Sequence, residues 1–221
     1  MKATLAITLL LAAAGCAPEV PAEPTWVDDV RPILAANCIR CHSPPHIGGA
    51  PQTMRLDKYD DEFLPDLAID DNDDPELVQG AAVYSVQIAG RILDDMPPQF
   101  PLTDRQIDVL TAWHEAGAPH GDARPDNALP SMVVPGDFEV ADERVAFGYQ
   151  IEDADGDIVT GLLMADPGGG ADPDPIVVSN ELFVGRGRVT GPLPTGTYEL
   201  FAELDDGNDT VQVELGTVVV P

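Results

Sequence analysis

The chain has little cysteine, little histidine and little positive charge. Its 221 residues include three cysteines (Cys16, Cys38 and Cys41) and four histidines, with neither residue type beyond His120. Any chemistry in the last hundred residues must therefore come from carboxylates and backbone. Eleven basic residues against 39 acidic ones leave a formal net charge of -28. Nucleic acid and anionic lipid surfaces repel such a chain, whereas a basic protein partner or a divalent cation is attracted. The apolar run from Ala3 to Ala14 is too short to span a hydrocarbon core of about 30 Å. A hydrophobic fraction of 44% is nevertheless that of a folding protein.

Lys2, the apolar run and the small residues before Cys16 form the pattern of an export signal over residues 1–15. "AAGC" resembles the bacterial lipobox, in which the cysteine is lipidated, although Ala13 stands where leucine is usual. A plain signal peptide cut after Ala14 is the alternative. With Cys16 acylated, the expectation is a protein outside the cytoplasm, periplasmic or at the cell surface, held to a membrane by lipid. Ala17 rather than aspartate after that cysteine favours the outer membrane.

Residues 16–25 are Pro-rich and read as a tether. Residues 26–120 carry helical patterns with long loops, 121–131 read as a linker, and 132–221 hold short alternating runs. "LTDRQIDVLTAWHEAGAP" is the clearest helix: Thr103 and Gln106 make a capping box, Ile107, Leu110 and Trp113 share a face, and Gly117 and Pro119 stop it. Asp28 or Asp29 is expected to cap an earlier helix, with Pro32 in its first turn. A helix is also expected between Gly80 and Leu93.

The chemistry concentrates in "NCIRCHSPPH". A Cys38–Cys41 disulfide would close a tiny loop and stabilise little. A thioredoxin-like pair needs a strand feeding a helix in an α/β fold. A zinc site could draw on Cys38, Cys41, His42 and His46, with His114 or His120 as substitutes, but adjacent Cys41 and His42 cannot easily face one small ion. C-x-x-C-H is also the signature of covalent haem attachment. Two thiols on one turn reach the two porphyrin vinyl groups, and the next residue aims its imidazole at the iron. Met96, ahead of Pro97 and Pro98, is a candidate second axial ligand on a stiff loop; Met54 is the other methionine considered.

"WVDDVRPILAANCIRCH", "GGAPQTMRLDKYDD" and "MPPQFPLTDRQIDVLTAWHEAGAP" together resemble the small mono-haem cytochrome c domains of exported bacterial proteins. The resemblance implies an all-α cytochrome c-like domain carrying one haem c and transferring single electrons. By it, Cys38 and Cys41 are the thioether residues, His42 the proximal ligand and Met96 the distal one. Ile33, Leu34, Leu110 and Trp113 would wall the haem or join the helices, and Arg55 and Arg91 are candidate propionate partners. The acidic stretch from Asp57 to Glu76 departs from the family pattern.

Residues 132–221 resemble an immunoglobulin- or fibronectin-like sandwich, with Tyr198 after Gly196 placed like a tyrosine corner. The expected fold class is thus an all-α cytochrome c-like domain followed by an all-β immunoglobulin-like sandwich. Glu152, Asp153, Asp155 and Asp157, and separately Asp205, Asp206 and Asp209, are candidate calcium ligands, though their residue types also suit hairpin turns. Asp70, Asn72, Asp74 and Glu76 faintly resemble an EF-hand loop, with Pro75 where its glycine belongs. The functional expectation is an electron carrier with a redox protein partner and no transformed substrate. The alternatives are an adhesion or partner-binding lipoprotein with an accessory haem, and a haem sensor or enzyme with an open iron position.

Overall fold

The computed structural model describes residues 19–64, 76–93, 96–98, 101–122, 124–168 and 175–221. The export-signal residues, Cys16 and the Asp70–Asp74 part of the EF-hand-like stretch lie outside the described residues.

The expected fold class does not hold. Among the described residues β-structure predominates, with about 36% in strands against 20% in helices, four short helices and two main antiparallel sheets. The first hundred residues are not all-α, because the acidic stretch pairs with itself: β1 (Glu62–Leu64) runs antiparallel to β2 (Glu76–Val78). The expected Gly80–Leu93 helix contracts to α3 (Ser85–Arg91). Gly80 lies outside α3 in a turn where a Cβ would run into the carbonyl oxygens of Tyr59 and Asp60, so no larger residue can stand there without a shift.

The leading helix is also broken. A π-helical turn over Trp26–Val30 is capped by Thr25, whose side chain accepts from the Asp28 N–H, so neither Asp28 nor Asp29 is the cap. Then come α1 (Arg31–Asn37), with Pro32 in its first turn, and a four-residue helix, α2 (Ile39–His42). By contrast α4 (Asp104–Glu115) forms as its sequence dictates, with both hydrogen-bonding arms of the Thr103/Gln106 capping box present. Trp26, Val30, Leu34, Leu110 and Trp113 make the buried centre of this half. Trp26 N–H donates to the Pro119 carbonyl at 2.9 Å and Val27 N–H to that of His120 at 3.1 Å. These bonds tie the two ends of the segment together.

The remaining strands are β3 (Ser131–Val133), β4 (Glu139–Ala141), β5 (Arg144–Glu152), β6 (Thr160–Asp166), β7 (Ile176–Phe183), β8 (Gly185–Pro192), β9 (Gly196–Asp205) and β10 (Thr210–Val220). One sheet has the order β10-β9-β6-β7; in the other β5 pairs with β3 and β4 and also with β8. Alternation places Val145, Phe147, Tyr149 and Ile151 of β5 and Tyr198, Leu200, Ala202 and Leu204 of β9 in one shared core. β6 is different, with Thr160 through Leu163 buried consecutively. Leu163 faces the sheet core, while Thr160 and Leu162 line the junction where Ile39 and Ser43 of the helical half lie against the sheet. The two halves are therefore packed layers. Among the described residues no helix is long and apolar enough to cross a membrane.

Candidate functional site

The C-x-x-C-H stretch forms the turn that leads out of α1. Cys38 has φ -124° and ψ -42°, separating α1 from α2, yet its carbonyl accepts from the Cys41 N–H at 3.1 Å and the His42 N–H at 3.0 Å. One helical turn thus carries both thiols and the imidazole. Neither cysteine is in a disulfide, and both are half-buried. Burial, reinforced by the neighbouring Cys41, pushes the Cys38 thiol up to about 12, so it is protonated at neutral pH. The His42 pKa is lowered, first by burial and then by His46. Its Nδ1 is buried and has no hydrogen-bond partner.

The following loop is tight. The His42 carbonyl accepts from Leu56 N–H at 2.9 Å, and one ring nitrogen of His46, Nε2, lies 3.0 Å from the Met54 carbonyl. Gly48 has φ +66°, and a Cβ there would stand 3.8 Å from Cys41 Sγ, so the loop passes directly over that thiol. His46 is accordingly a loop residue beside the site, as its position in the sequence suggests. Met54 is partly buried against the helical core and bridged to Gln79.

Met96 follows α3, with its N–H donating to the Arg91 carbonyl at 3.0 Å. Its side chain is 37% exposed and lies outside the buried helical core. The structure therefore brings Cys38, Cys41 and His42 together on one turn and leaves Met96 on a separate loop. Ile33, Leu34, Leu110 and Trp113 are core residues, with Trp113 Nε1 donating to Pro119 O at 3.0 Å. Arg55 is 5% exposed and forks onto Asp57, with Nε 3.0 Å from Oδ1. Arg91 ends α3 at the surface. His114 Nδ1 meets Ser85 Oγ at 3.2 Å, and His120 packs edge-on against Tyr59.

A covalently bound haem requires two unpaired thiols one turn apart, an imidazole on the next residue and a soft donor elsewhere. The donor set present fits that group. An imidazole nitrogen buried without a partner is the kind of orphan that a bound group explains. For calcium, Asp153, Asp155 and Asp157 offer oxygens within 4.8 Å of one another. Asp153 Oδ1 already accepts the N–H groups of Asp155 and Asp157, and Asp157 is paired with Arg124 at 2.8 Å. Glu152 is an exposed residue at the end of β5, outside that group. Asp205, Asp206 and Asp209 do not converge in the same way: Asp205 pairs with Arg31, while Asp206 accepts from Asn208 N–H, Asp209 N–H and Asn127 Nδ2.

Two polar residues that sequence reasoning passed over turn out to join the halves. Arg31, 4% exposed, donates from Nη2 to Thr160 Oγ1 at 3.1 Å and to Asp205 Oδ1 at 2.7 Å, and from Nη1 to the Ile158 carbonyl. Asn180, 6% exposed, points from β7 at α2. The available signal was a polar residue inside an apolar stretch: "VRPIL" for Arg31 and "IVVSNELFV" for Asn180.

No protein-family model, curated protein or solved structure matches the chain.

Proposed function

We propose that this chain is an electron-transfer protein carrying one covalently attached haem c, exported and held at the cell envelope by a lipid on Cys16. The observation that supports this most is the single turn bearing two unpaired thiols and a half-buried imidazole with an orphaned Nδ1. Cys38 and Cys41 would form the thioethers, His42 would ligate the iron, and Met96 would supply the distal sulfur. Bound there, the haem takes up and releases one electron. The residues of the chain hold it and restrict water: Ile39 and Leu56 back the turn from the core, and the Gly48 loop covers Cys41. A redox partner with a basic docking face fits the net charge of -28. Arg55 and Arg91 remain the proposed propionate partners, Arg55 with Asp57 on its other edge.

The experiment is the reduced-minus-oxidised visible spectrum of protein matured with haem-attachment machinery, repeated on Met96→Ala. A low-spin spectrum with a sulfur-to-iron charge-transfer band that disappears in Met96→Ala is expected. A reduced wild-type protein that binds carbon monoxide readily would instead indicate an open iron position and a sensory or enzymatic role.

A further inference from the structure

We infer that Asn180, on β7, is a positioning residue for the haem-binding turn: its side-chain amide fixes α2 and thereby the direction in which Cys41 and His42 project. The inference rests on the haem reading above.

A helix of four residues has no stability of its own, because nucleation costs more than one turn returns. Its last carbonyls also lack intrahelical partners. Here those groups lie against the sheet, where a carbonyl left unpaired is costly because water cannot replace its partner. Asn180 Nδ2 lies 2.9 Å from Ser43 Oγ, 3.1 Å from Ser43 O, 3.2 Å from Arg40 O and 3.4 Å from Ile39 O. Three of these four neighbours are carbonyl oxygens, which cannot donate, so the nitrogen end of the amide must face them. Ser43 Oγ in turn donates to Ile39 O at 2.7 Å. With Ser43 1% exposed and Asn180 6% exposed, water has little access to take over these bonds.

The strand is shaped for this contact. Regular alternation would put Asn180 on the same face as Val178 and Leu182, both of which belong to the sheet core. Pairing steps from Gly161↔Leu182 to Leu163↔Ser179, so Asn180 and Glu181 oppose Leu162 alone. That is a β-bulge, and a bulge re-aims a side chain. Arg31 grips the other end of the same segment through Thr160 and Asp205. The stretch from Arg31 to Ser43 is thus pinned at both ends to the sheet, with the thiols and imidazole between the pins. The sheet half becomes part of the haem site's framework, rather than a detachable accessory.

The test uses the full-length chain in two forms. In haem-free protein, made by Cys38→Ala/Cys41→Ala, amide hydrogen exchange is compared between Asn180 and Asn180→Asp, which keeps the shape but removes both donors. Protection of the residue 41 and His42 amides should fall by about tenfold or more, as expected for losing one to two hydrogen bonds, while β5 and β9 amides keep theirs. In haem-loaded protein with both cysteines intact, Asn180→Asp should lower the fraction of chains carrying haem and shift the reduction potential. Ser179→Ala, on the same strand and equally buried but bonded to Glu181 N–H, should change neither. If Asn180→Asp does not fold, Asn180→Ala removes the donors without adding charge and is read in the same way. Unchanged protection at residue 41 and His42 in the variant that folds, or an equal loss in Ser179→Ala, overturns the inference. A wild-type chain of bare peptide mass would remove the haem reading; the exchange result reports on the clamp separately.

Discussion

The two halves of the molecule are built on different principles. In the sheet half the alternation of β5 and β9 buries every second side chain, and Phe147, Leu163, Leu200 and Leu204 fill a core that closes on itself. Among the described residues the helical half is assembled from short pieces: a five-residue π-helical turn, helices of seven, four and seven residues, and one of twelve. It leaves Ile47, Leu93 and Met96 exposed on its loops and Val86 exposed on α3. Short helices are marginal alone, so this half depends on what it packs against. Its stability comes in part from the sheet, through Arg31 and Asn180, and in the proposed function from a haem as well.

The largest effects are expected in the two cores. Trp113→Ala and Phe147→Ala each empty a fully buried aromatic site, one per half, and each should cost about 3–5 kcal/mol in urea unfolding. Because the halves are interlocked, both variants should unfold in a single transition seen alike by fluorescence and far-UV circular dichroism. Two separated transitions in either variant would show that the halves are independent.

The next largest effect is expected at Arg31. Arg31→Met removes one partner of a buried ion pair, leaves the Asp205 carboxylate to Lys58, Gly207 N–H and the Thr210 hydroxyl, and strips the Ile158 carbonyl and Thr160 hydroxyl of their guanidinium donor, which should cost about 3 kcal/mol. A loss of under a tenth of that in the unfolding free energy would mean the junction contributes nothing to stability.

Lys58 gives a smaller effect with a defined pH sign. Burial on its own would lower its pKa, but Asp205 and Glu203, at 3.4 Å and 3.2 Å, outweigh that, and the net shift is upward. A group whose folded pKa exceeds its unfolded value stabilises fully below the unfolded value, about 10.5 for lysine, and loses that contribution as pH rises through the folded one. The stability difference between wild type and Lys58→Met should therefore be constant from pH 7 to 9 and shrink above pH 10.5. At the bottom of the scale, Arg188→Ala breaks only an exposed pair with Glu139 within the sheet half and should leave the unfolding midpoint unchanged.

Much of this was legible from local pattern. The alternating runs of "RVAFGYQIED", "TYELFAELDD" and "TVQVELGTVVVP" become β5, β9 and β10, and the capping box at Thr103 starts α4. The C-x-x-C-H spacing placed both thiols and the imidazole on one turn. What local pattern could not carry was pairing between distant residues. The β1–β2 ribbon joins residues on either side of an acidic stretch whose composition signals a loop but not which flanking segments pair, and this pairing is what removes the all-α description. Thr25 displaced the aspartates as cap because its own side chain reaches the Asp28 N–H while Asp29 turns back to accept from Thr25 N–H at 3.0 Å. Asn180 lay within an apolar run, and only the bulge opposite Leu162 shows that it faces outward.

The measurement that bears most directly on the proposed chemistry is the intact mass of the natively exported protein, followed by mass analysis of the peptide spanning Cys38–His42. This peptide is expected to carry the added mass of one tetrapyrrole joined through both cysteines. An unmodified peptide with two free thiols would contradict it.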